Sequence, residues 1–392
     1  MTRERGNVAG MPLESKRLYY LDWLRALTIG AVFLYHCSRP FGQQMWHIRN
    51  AVQSLTSTIH VEFFRIWMMP LFFVLSGAAI LFSLQRRSIG RFLGERFLRL
   101  LVPLVGLGWF VIGPIQIYFE RLTYGQFSGS FLEFYPHYFE GFAQFGGNFA
   151  WHGMNLWFLL YLFLLSLLWL PWFVPFGKSR KSLLARISPA FSSVAVLLLL
   201  TIPFAAADHL VSALDIGFLR GTGGWSFFSY FLLLPIGYML FSTERAQRSI
   251  RRITWLSLGL ASIASAVYVM AVHVWQVDLT FGSLTYYGLT FARSAAALLW
   301  IYALLGVGMR YLNTSNRFLK AANEGGLPYY ILHQTAIVAI GFFVIQWSLP
   351  IAAKYLLIVA LACLGTVLPY LLLVRPWNPV RFLFGMRLRK RS

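Results

Sequence analysis

LYYLDWLRALTIGAVFLYHCSRP, residues 18–40, reads as the first membrane-crossing helix, yet it carries Asp22, Arg25 and His36. A crossing takes about 20 residues at a rise of about 1.5 Å each. Arg25 and His36 are eleven positions apart. At about 100° per residue that separation is roughly three turns plus 20°, so both side chains share one face, about 16 Å apart along the axis. Asp22 lies one turn before Arg25 on the same side. Each such group costs about 2.5–3.5 kcal/mol at the centre of a spanning helix, so ionisable residues at this depth face a protein interior or a wet cavity. The stripe is the first candidate for a functional site.

The rest of the chain has the same character. Of 392 residues, 58% are hydrophobic and 12% charged, and the mean hydropathy is +0.62, values foreign to a soluble globular domain. Apolar runs of about twenty residues recur throughout, the pattern of a helical polytopic protein and not of an outer-membrane barrel. Spans are expected at 18–40, 61–84, 99–119, 155–175, 189–208, 225–242, 253–274, 286–307, 326–346 and 352–374. The fold class is therefore an all-α polytopic integral membrane protein of about ten transmembrane helices. The stretch 1–17 is polar, with no small-residue cleavage site after a short apolar core, so the first span is expected to stay as an anchor. Cys37 and Cys363 lie in or beside apolar spans and read as packing residues, since two such thiols make no disulfide framework.

The net charge of +21 reports topology. Of 34 Lys and Arg, 26 fall in 1–17, 85–99, 176–188, 243–252, 308–325 and 375–392, which are alternate segments of this layout. By the positive-inside rule those segments and both termini are cytoplasmic. The same charge adds attraction to anionic lipid, and nucleic acid is not expected as a partner. The chain divides into a cytoplasmic tail (1–17), one transmembrane domain (18–374) and a basic cytoplasmic tail (375–392). No internal repeat stands out, which weighs against a transporter built on inverted repeats.

Two outer segments are distinctive. Residues 120–154 carry Glu120, Glu133, Glu140, His137, His152 and many aromatics. The aromatics read either as an interfacial belt or as faces on which a sugar stacks, with acids and amides holding its hydroxyls. Residues 42–62 read as a short amphipathic helix at the interface.

Other polar residues within spans each admit two readings. Asp22 either neutralises Arg25 as an i,i+3 pair or works with it. His36 caps its helix or reacts. His333 is glue between helices or part of a site, and Arg293 snorkels outward or reaches a central cavity. Glu62 and Arg65 read as a self-paired helix entry. GTGG at 221–224 lacks the strand-to-helix setting of a nucleotide loop, no Cys/His cluster fits a metal, and Ser76 is not in a G-x-S-x-G elbow.

Several stretches resemble one family in order along the chain. The opening RLYYLDWLRALTIGAVFLYH resembles membrane-bound acyltransferase family 3, whose mark is an Arg, ten residues, then a His in the first span, here Arg25 and His36. MPLFFVLSGAAILF resembles that family's second span. RFLGERFLRLLVP resembles its R-x-x-R segment through Arg96, Arg99 and Pro103, with one extra residue before the proline. NLWFLLYLF resembles its His-Leu-Trp-Phe-Leu segment, with Asn155 in place of the usual His before Trp157. LPYYILHQ resembles its Tyr-x-x-His segment through Tyr330 and His333, with Gly326 where the family has a serine. Through its LWFLL segment the chain resembles the glucan biosynthesis protein C-like branch.

This resemblance implies an O-acyltransferase of the inner (plasma) membrane. It would move an acetyl or succinyl group from cytoplasmic acyl-CoA, a cosubstrate and not a bound cofactor, to a hydroxyl of an extracytoplasmic carbohydrate. A base must take the hydroxyl proton, and an imidazole suits that near neutral pH. His36 would be that base, with Arg25 and Asp22 beside it in the catalytic stripe. Arg25, Arg96 and Arg99 would grip the phosphates and pantetheine of the donor, since guanidinium groups pair bidentately with oxyanions; as ordinary positive-inside residues, Arg96 and Arg99 would serve topology alone. His333, Tyr330, Trp157 and Asn155 would contact substrate. No metal is implied, and a homo-oligomer stays open. The competing reading is a transporter or flippase of a small solute or glycolipid, using Asp22, Arg25 and His36 as a binding or proton-relay site.

Overall fold

The computed structural model describes residues 17–176, 182–214 and 222–389. The tail 1–16 and the basic residues Lys178, Arg180, Lys181, Arg220, Lys390 and Arg391 lie outside the described residues. Among the described residues the chain is helical, with no strand beyond one isolated bridge, Phe142 to Phe149. The main helices are α1 (Tyr19–Ser38), α2 (Leu55–Arg86), α3 (Ile89–Thr123), α4 (Met154–Pro175), α5 (Val194–Ala213), α6 (Phe227–Leu240), α7 (Glu244–Val274), α8 (Leu284–Tyr311), α9 (Arg317–Val344) and α10 (Ile351–Val374). Eight of these are long and apolar enough to cross a membrane; α1, with its polar stripe, and the 14-residue α6 are the others.

Helix starts follow local chemistry. Ser54, Ser226, Thr243, Ser283 and Asn316 each accept a hydrogen bond from a backbone N–H in the first turn of the following helix, satisfying donors that helix geometry leaves unpaired. Helix α2 forms the centre, and Phe73, Val74 and Leu75 within it are fully enclosed. Its tightest neighbour is α6. A Cβ on Gly77 would stand 2.1 Å from the Leu234 carbonyl oxygen, and one on Gly237 2.1 Å from that of Val74. Small residues on both helices allow this backbone approach, a common packing device in lipid.

Two expectations are corrected. Residues 42–54 form no amphipathic helix: a 3₁₀ turn, Arg39–Phe41, follows α1 with Pro40 inside it, and α2 begins only at Leu55. Pro40 has no N–H with which to continue an α-helix, and the chain crosses the end of the bundle in irregular conformation. The basic stretch 85–99 is not a plain loop: Ile89–Arg96 is helical and runs into π-helical turns at Phe97–Leu101 and Leu104–Ile112. Arg99 sits in the first of these widened turns, a feature frequent at functional sites.

Candidate active site

At the basic end, α1, α2, α3, α4 and α9 surround a cavity of about 430 Å³. Five arginines line it (Arg17, Arg25, Arg87, Arg96 and Arg99) against two carboxylates, Asp22 and Glu95. Asp22 accepts from Arg17 Nε at 3.0 Å and Nη2 at 2.8 Å, while Arg25 Nη1 is 3.5 Å from its other oxygen. Arg25 Nη2 donates to the Leu75 carbonyl at 3.2 Å, tying α1 to α2. Glu95 pairs with Arg87 and Arg91. Arg96 and Arg99 have no carboxylate partner among the described residues, and Arg96 lies over the Phe92 ring at 5.0 Å. Such a surplus of guanidinium groups suits an anionic ligand. The cavity reaches inward to Ile29 of α1 and Tyr330 of α9.

Beyond that point stands a second cluster. His36 Nδ1 is 3.0 Å from His333 Nε2, and His333 Nδ1 is 2.7 Å from the Tyr330 carbonyl oxygen. A carbonyl only accepts, so His333 carries its proton on Nδ1 and offers a lone pair at Nε2. His36 therefore donates from Nδ1, and its own lone pair sits on Nε2. This is the tautomer a general base needs, held by a partner in the manner of an oriented imidazole. His333 is buried and His36 half-buried. The Trp46 ring stacks on His36 at 6.0 Å and 14°, so the irregular 42–54 segment forms the roof of the site.

The Tyr330 carbonyl is held in turn. Asn155 Nδ2 donates to it at 3.1 Å and to the Ile331 carbonyl at 3.4 Å, and Tyr330 Oη donates back to the Asn155 carbonyl. Pro328 lies in the same stretch of α9 and, lacking an N–H, frees a carbonyl one turn before it. Gln116 Nε2 donates to Asn155 Oδ1 at 3.0 Å and Thr335 Oγ1 at 2.9 Å, and Gln334 Nε2 donates to Gln116 Oε1 at 2.9 Å. Gln334 Nε2 also reaches His47 Nε2 at 3.1 Å, and His47 Nδ1 meets Glu120 at 2.5 Å. One network thus runs from Glu120 to the histidine pair.

The arrangement sorts the residues expected from sequence. Asp22, Arg25, Arg96, Arg99 and Tyr330 share the arginine-lined cavity. His36, His333 and Asn155 share the network beyond it. Trp157 stands apart in an aromatic cluster with Phe73, Tyr161 and Tyr230. Trp46, His47, Gln116 and Gln334 were not anticipated; the one signal available was an amide or imidazole inside or beside an apolar run. Arg293 neither snorkels nor faces the cavity. It is buried over the Trp225 ring at 3.9 Å, 3.6 Å from Asp208, and donates to the Gly224 carbonyl. Arg65 and Glu62 pair at 2.8 Å, but not at a helix entry: α2 begins two turns earlier, at Leu55, and Glu62 is buried and also accepts from Gln44.

Segment 120–154 packs on Ile117 of α3 in a small separate core with Phe134, Tyr138, Ala150 and Met154. Burial pushes the Tyr138 phenol up to about 12, and the N–H and hydroxyl of Ser130 hold Glu133 below the usual carboxylate range. Many of its aromatics are thus packing residues, while Phe142, Phe145 and Trp151 remain exposed.

The family profile for the acyltransferase domain matches residues 18–375, nearly the whole described structure and all of the site but Arg17. The chain belongs to acyltransferase family 3. Among curated relatives, the glucans biosynthesis protein C of Salmonella schwarzengrund (strain CVM19633) is 26% identical over 200 residues, half of each chain. That of Escherichia coli K12 is 26% identical over 158 residues, 40% of this chain and 39% of the relative. The chain spans about half the length or less of the curated relatives it matches. No solved structure matches it. The chain is thus a helical, polytopic member of that family.

Proposed function

We propose that this acyltransferase moves an acyl group, acetyl or succinyl, from acyl-CoA arriving at the basic, cytoplasmic end to a hydroxyl of a carbohydrate on the far side of an inner (plasma) membrane. The observation that carries the reading is the fixed tautomer of His36, on the same helix as the arginine-lined cavity. Its Nε2 lone pair takes the hydroxyl proton as the acceptor oxygen attacks the thioester carbonyl. The carbon–sulfur bond breaks, and the CoA sulfur leaves with the proton that His36 returns. Arg25, Arg96 and Arg99 bind the donor's phosphates and pantetheine amides, with Asp22 holding Arg25 in place. Tyr330 and Ile29 stand between the cavity and His36, so the thioester passes them to meet the base. Asn155 and His333 act on His36 by position, and Trp157 supports the α2–α4–α6 packing. The relatives' name points to a glucan as the acceptor class.

The experiment is release of free thiol from acetyl-CoA and succinyl-CoA by the purified protein in nanodiscs, with a glucan acceptor. Wild type should release thiol in step with acylated product, and a folded His36→Ala protein should lose at least about a hundredfold in kcat. No thiol release from either donor by wild type, with glycolipid or solute moving across vesicles instead, would favour transport.

A further inference from the structure

A second cavity, of about 510 Å³, lies at the other end of α3, where Glu120 and Arg121 form part of its lining. At about 1.5 Å per residue, the 21 positions from Arg99 to Glu120 put it about 30 Å along the helix from the arginine-lined cavity. Arg121 braces its walls. Nε donates to Asn148 Oδ1 at 2.8 Å, Nη1 to Gln126 Oε1 at 2.6 Å and Nη2 to the Gly147 carbonyl at 2.8 Å, joining the turn after α3 to the 140–149 stretch. Asn148 donates from Nδ2 to the His137 carbonyl at 3.0 Å and from its N–H to the Glu140 carbonyl at 2.9 Å. The bend between closes on itself, since a Cβ on Gly147 would stand 2.3 Å from the Gly141 carbonyl carbon. The cavity is thus walled by fixed contacts, and its volume is that of a small-molecule site.

Its lining leaves several groups open. Gln126 Oε1 is taken by Arg121, while the Gln126 amide N–H groups have no partner among the described residues. Glu140 meets His137 Nδ1 through one oxygen at 2.8 Å, which leaves its other oxygen and His137 Nε2 open; the two side chains are 68% and 52% exposed. Phe127 lines the same cavity, its ring set against Phe134 at 5.2 Å and His137 at 6.2 Å. A brace for the loop requires none of these open groups. Charge then decides the class of ligand. Two carboxylates, Glu120 and Glu140, stand here against one arginine that is already engaged, whereas the inner cavity gathers five arginines against two carboxylates. That balance is wrong for a phosphate and suits a neutral polyol. A sugar ring uses all three features: its hydroxyls bond to an amide donor and a carboxylate acceptor, and its C–H face lies on the electron-rich face of an aromatic ring.

Glu120 also joins this cavity to the histidine pair. Its carboxylate accepts from His47 Nδ1 at 2.5 Å. The His47 ring is 5.2 Å from that of Trp46, which in turn stacks on His36 at 6.0 Å. Two rings therefore separate the cavity from the base. A hydroxyl held in it would not reach His36, but a neighbouring unit of the same glycan would. We infer that the cavity is an acceptor subsite, holding a sugar unit beyond the one that is acylated, so that the protein favours oligosaccharides over single sugars. This rests on the reading of a carbohydrate acceptor.

The test uses the full chain in nanodiscs with acetyl-CoA or succinyl-CoA and a graded glucan hydrolysate, from free glucose to short oligosaccharides. Mass spectrometry of the mixture gives the acylated fraction at each length. Wild type should acylate short oligosaccharides at least about tenfold faster than glucose, the order expected for one charge-assisted contact. E140A should remove most of that preference, and F127L, which keeps the apolar packing without the aromatic face, about threefold of it. Equal acylation of all lengths by wild type would overturn the subsite and leave transfer to a glucan standing. Thiol release by wild type with no glucan acylated at any length would overturn the glucan acceptor and the subsite together. Losses in E140A and F127L that fall alike on glucose and on longer chains would reject the subsite too, because both residues would then serve only the fold of the loop.

Discussion

Replacing His333 by leucine should slow the proposed acyl transfer without weakening donor binding. His333 Nε2 accepts from His36 Nδ1 at 3.0 Å, and its own Nδ1–H is fixed on the Tyr330 carbonyl at 2.7 Å. Leucine fills a similar volume and offers no acceptor. The Nδ1–H of His36 then loses its partner at a cost of about 1–3 kcal/mol for a buried donor. The imidazole can escape that cost by carrying its proton on Nε2, but that removes the lone pair from the reacting edge. At 1.36 kcal/mol per factor of ten, kcat should fall about 5- to 150-fold. The loss stays below that of His36→Ala, which forfeits general-base assistance of about 10²–10⁴. His333→Gln should recover part of the rate, because its Oε1 can accept. The double variant His36→Ala/His333→Leu should be no slower than His36→Ala alone, as expected of residues acting as a unit. The assay is thiol release under saturating acyl-CoA, with size-exclusion elution checking the fold. Wild-type kcat in folded His333→Leu would refute the orienting role. A loss equal to that of His36→Ala, with no recovery in His333→Gln, would make His333 a reacting group and reverse the assignment.

Two further outcomes follow from the structure. Arg25→Lys should lower acyl-CoA affinity and turnover together, because an ammonium cannot reach both Asp22 and the Leu75 carbonyl as the two-pronged guanidinium does; calorimetric titration of CoA checks this, and unchanged affinity in a less stable protein would make Arg25 a structural pairing residue. Gly77→Leu should abolish folding or displace α6, since even a Cβ would stand 2.1 Å from the Leu234 carbonyl oxygen, and a monodisperse variant with wild-type melting would contradict that helix contact.

The polytopic helical class was legible in hydropathy, and the Arg25–His36 stripe in helical period, because both are local properties of one segment. The helix starts were less so: spans expected from 61, 253 and 326 begin as helices at Leu55, Glu244 and Arg317, because polar turns capped by Ser54, Thr243 and Asn316 precede the apolar runs that hydropathy registers. Pairings across the sequence were not legible. His36 meets His333 297 positions away, and the network through Gln116 and Gln334 joins neutral amides whose only trace is polarity within an apolar run. Gly385 shows the same limit: nothing in its own segment tells that the Arg99 backbone lies against it, where a Cβ would stand 2.8 Å from Arg99 Cα. Trp46 was hidden for a different reason. The 42–54 segment has amphipathic composition, but Pro40 and the 3₁₀ turn end α1 before a new helix forms, leaving the tryptophan free to cover His36. Asn155 stands where the family often has a histidine, and its part in the structure, clamping two carbonyls of α9 beside Pro328, depends on contacts that no single segment encodes.

The central claim is that donor and acceptor meet from opposite faces of the membrane. The direct measurement reconstitutes the protein in one orientation in sealed vesicles, with acyl-CoA on the side of the basic loops alone and glucan acceptor on the other side alone. Mass spectrometry should then find the acceptor heavier by one acyl group, and an impermeant thiol reagent should find CoA on the donor side. Acylation only when both substrates are on the basic side would contradict the account: His36 would have to be reached from within, and Trp46 with the 42–54 segment would close the far end of the site and not roof its acceptor entrance.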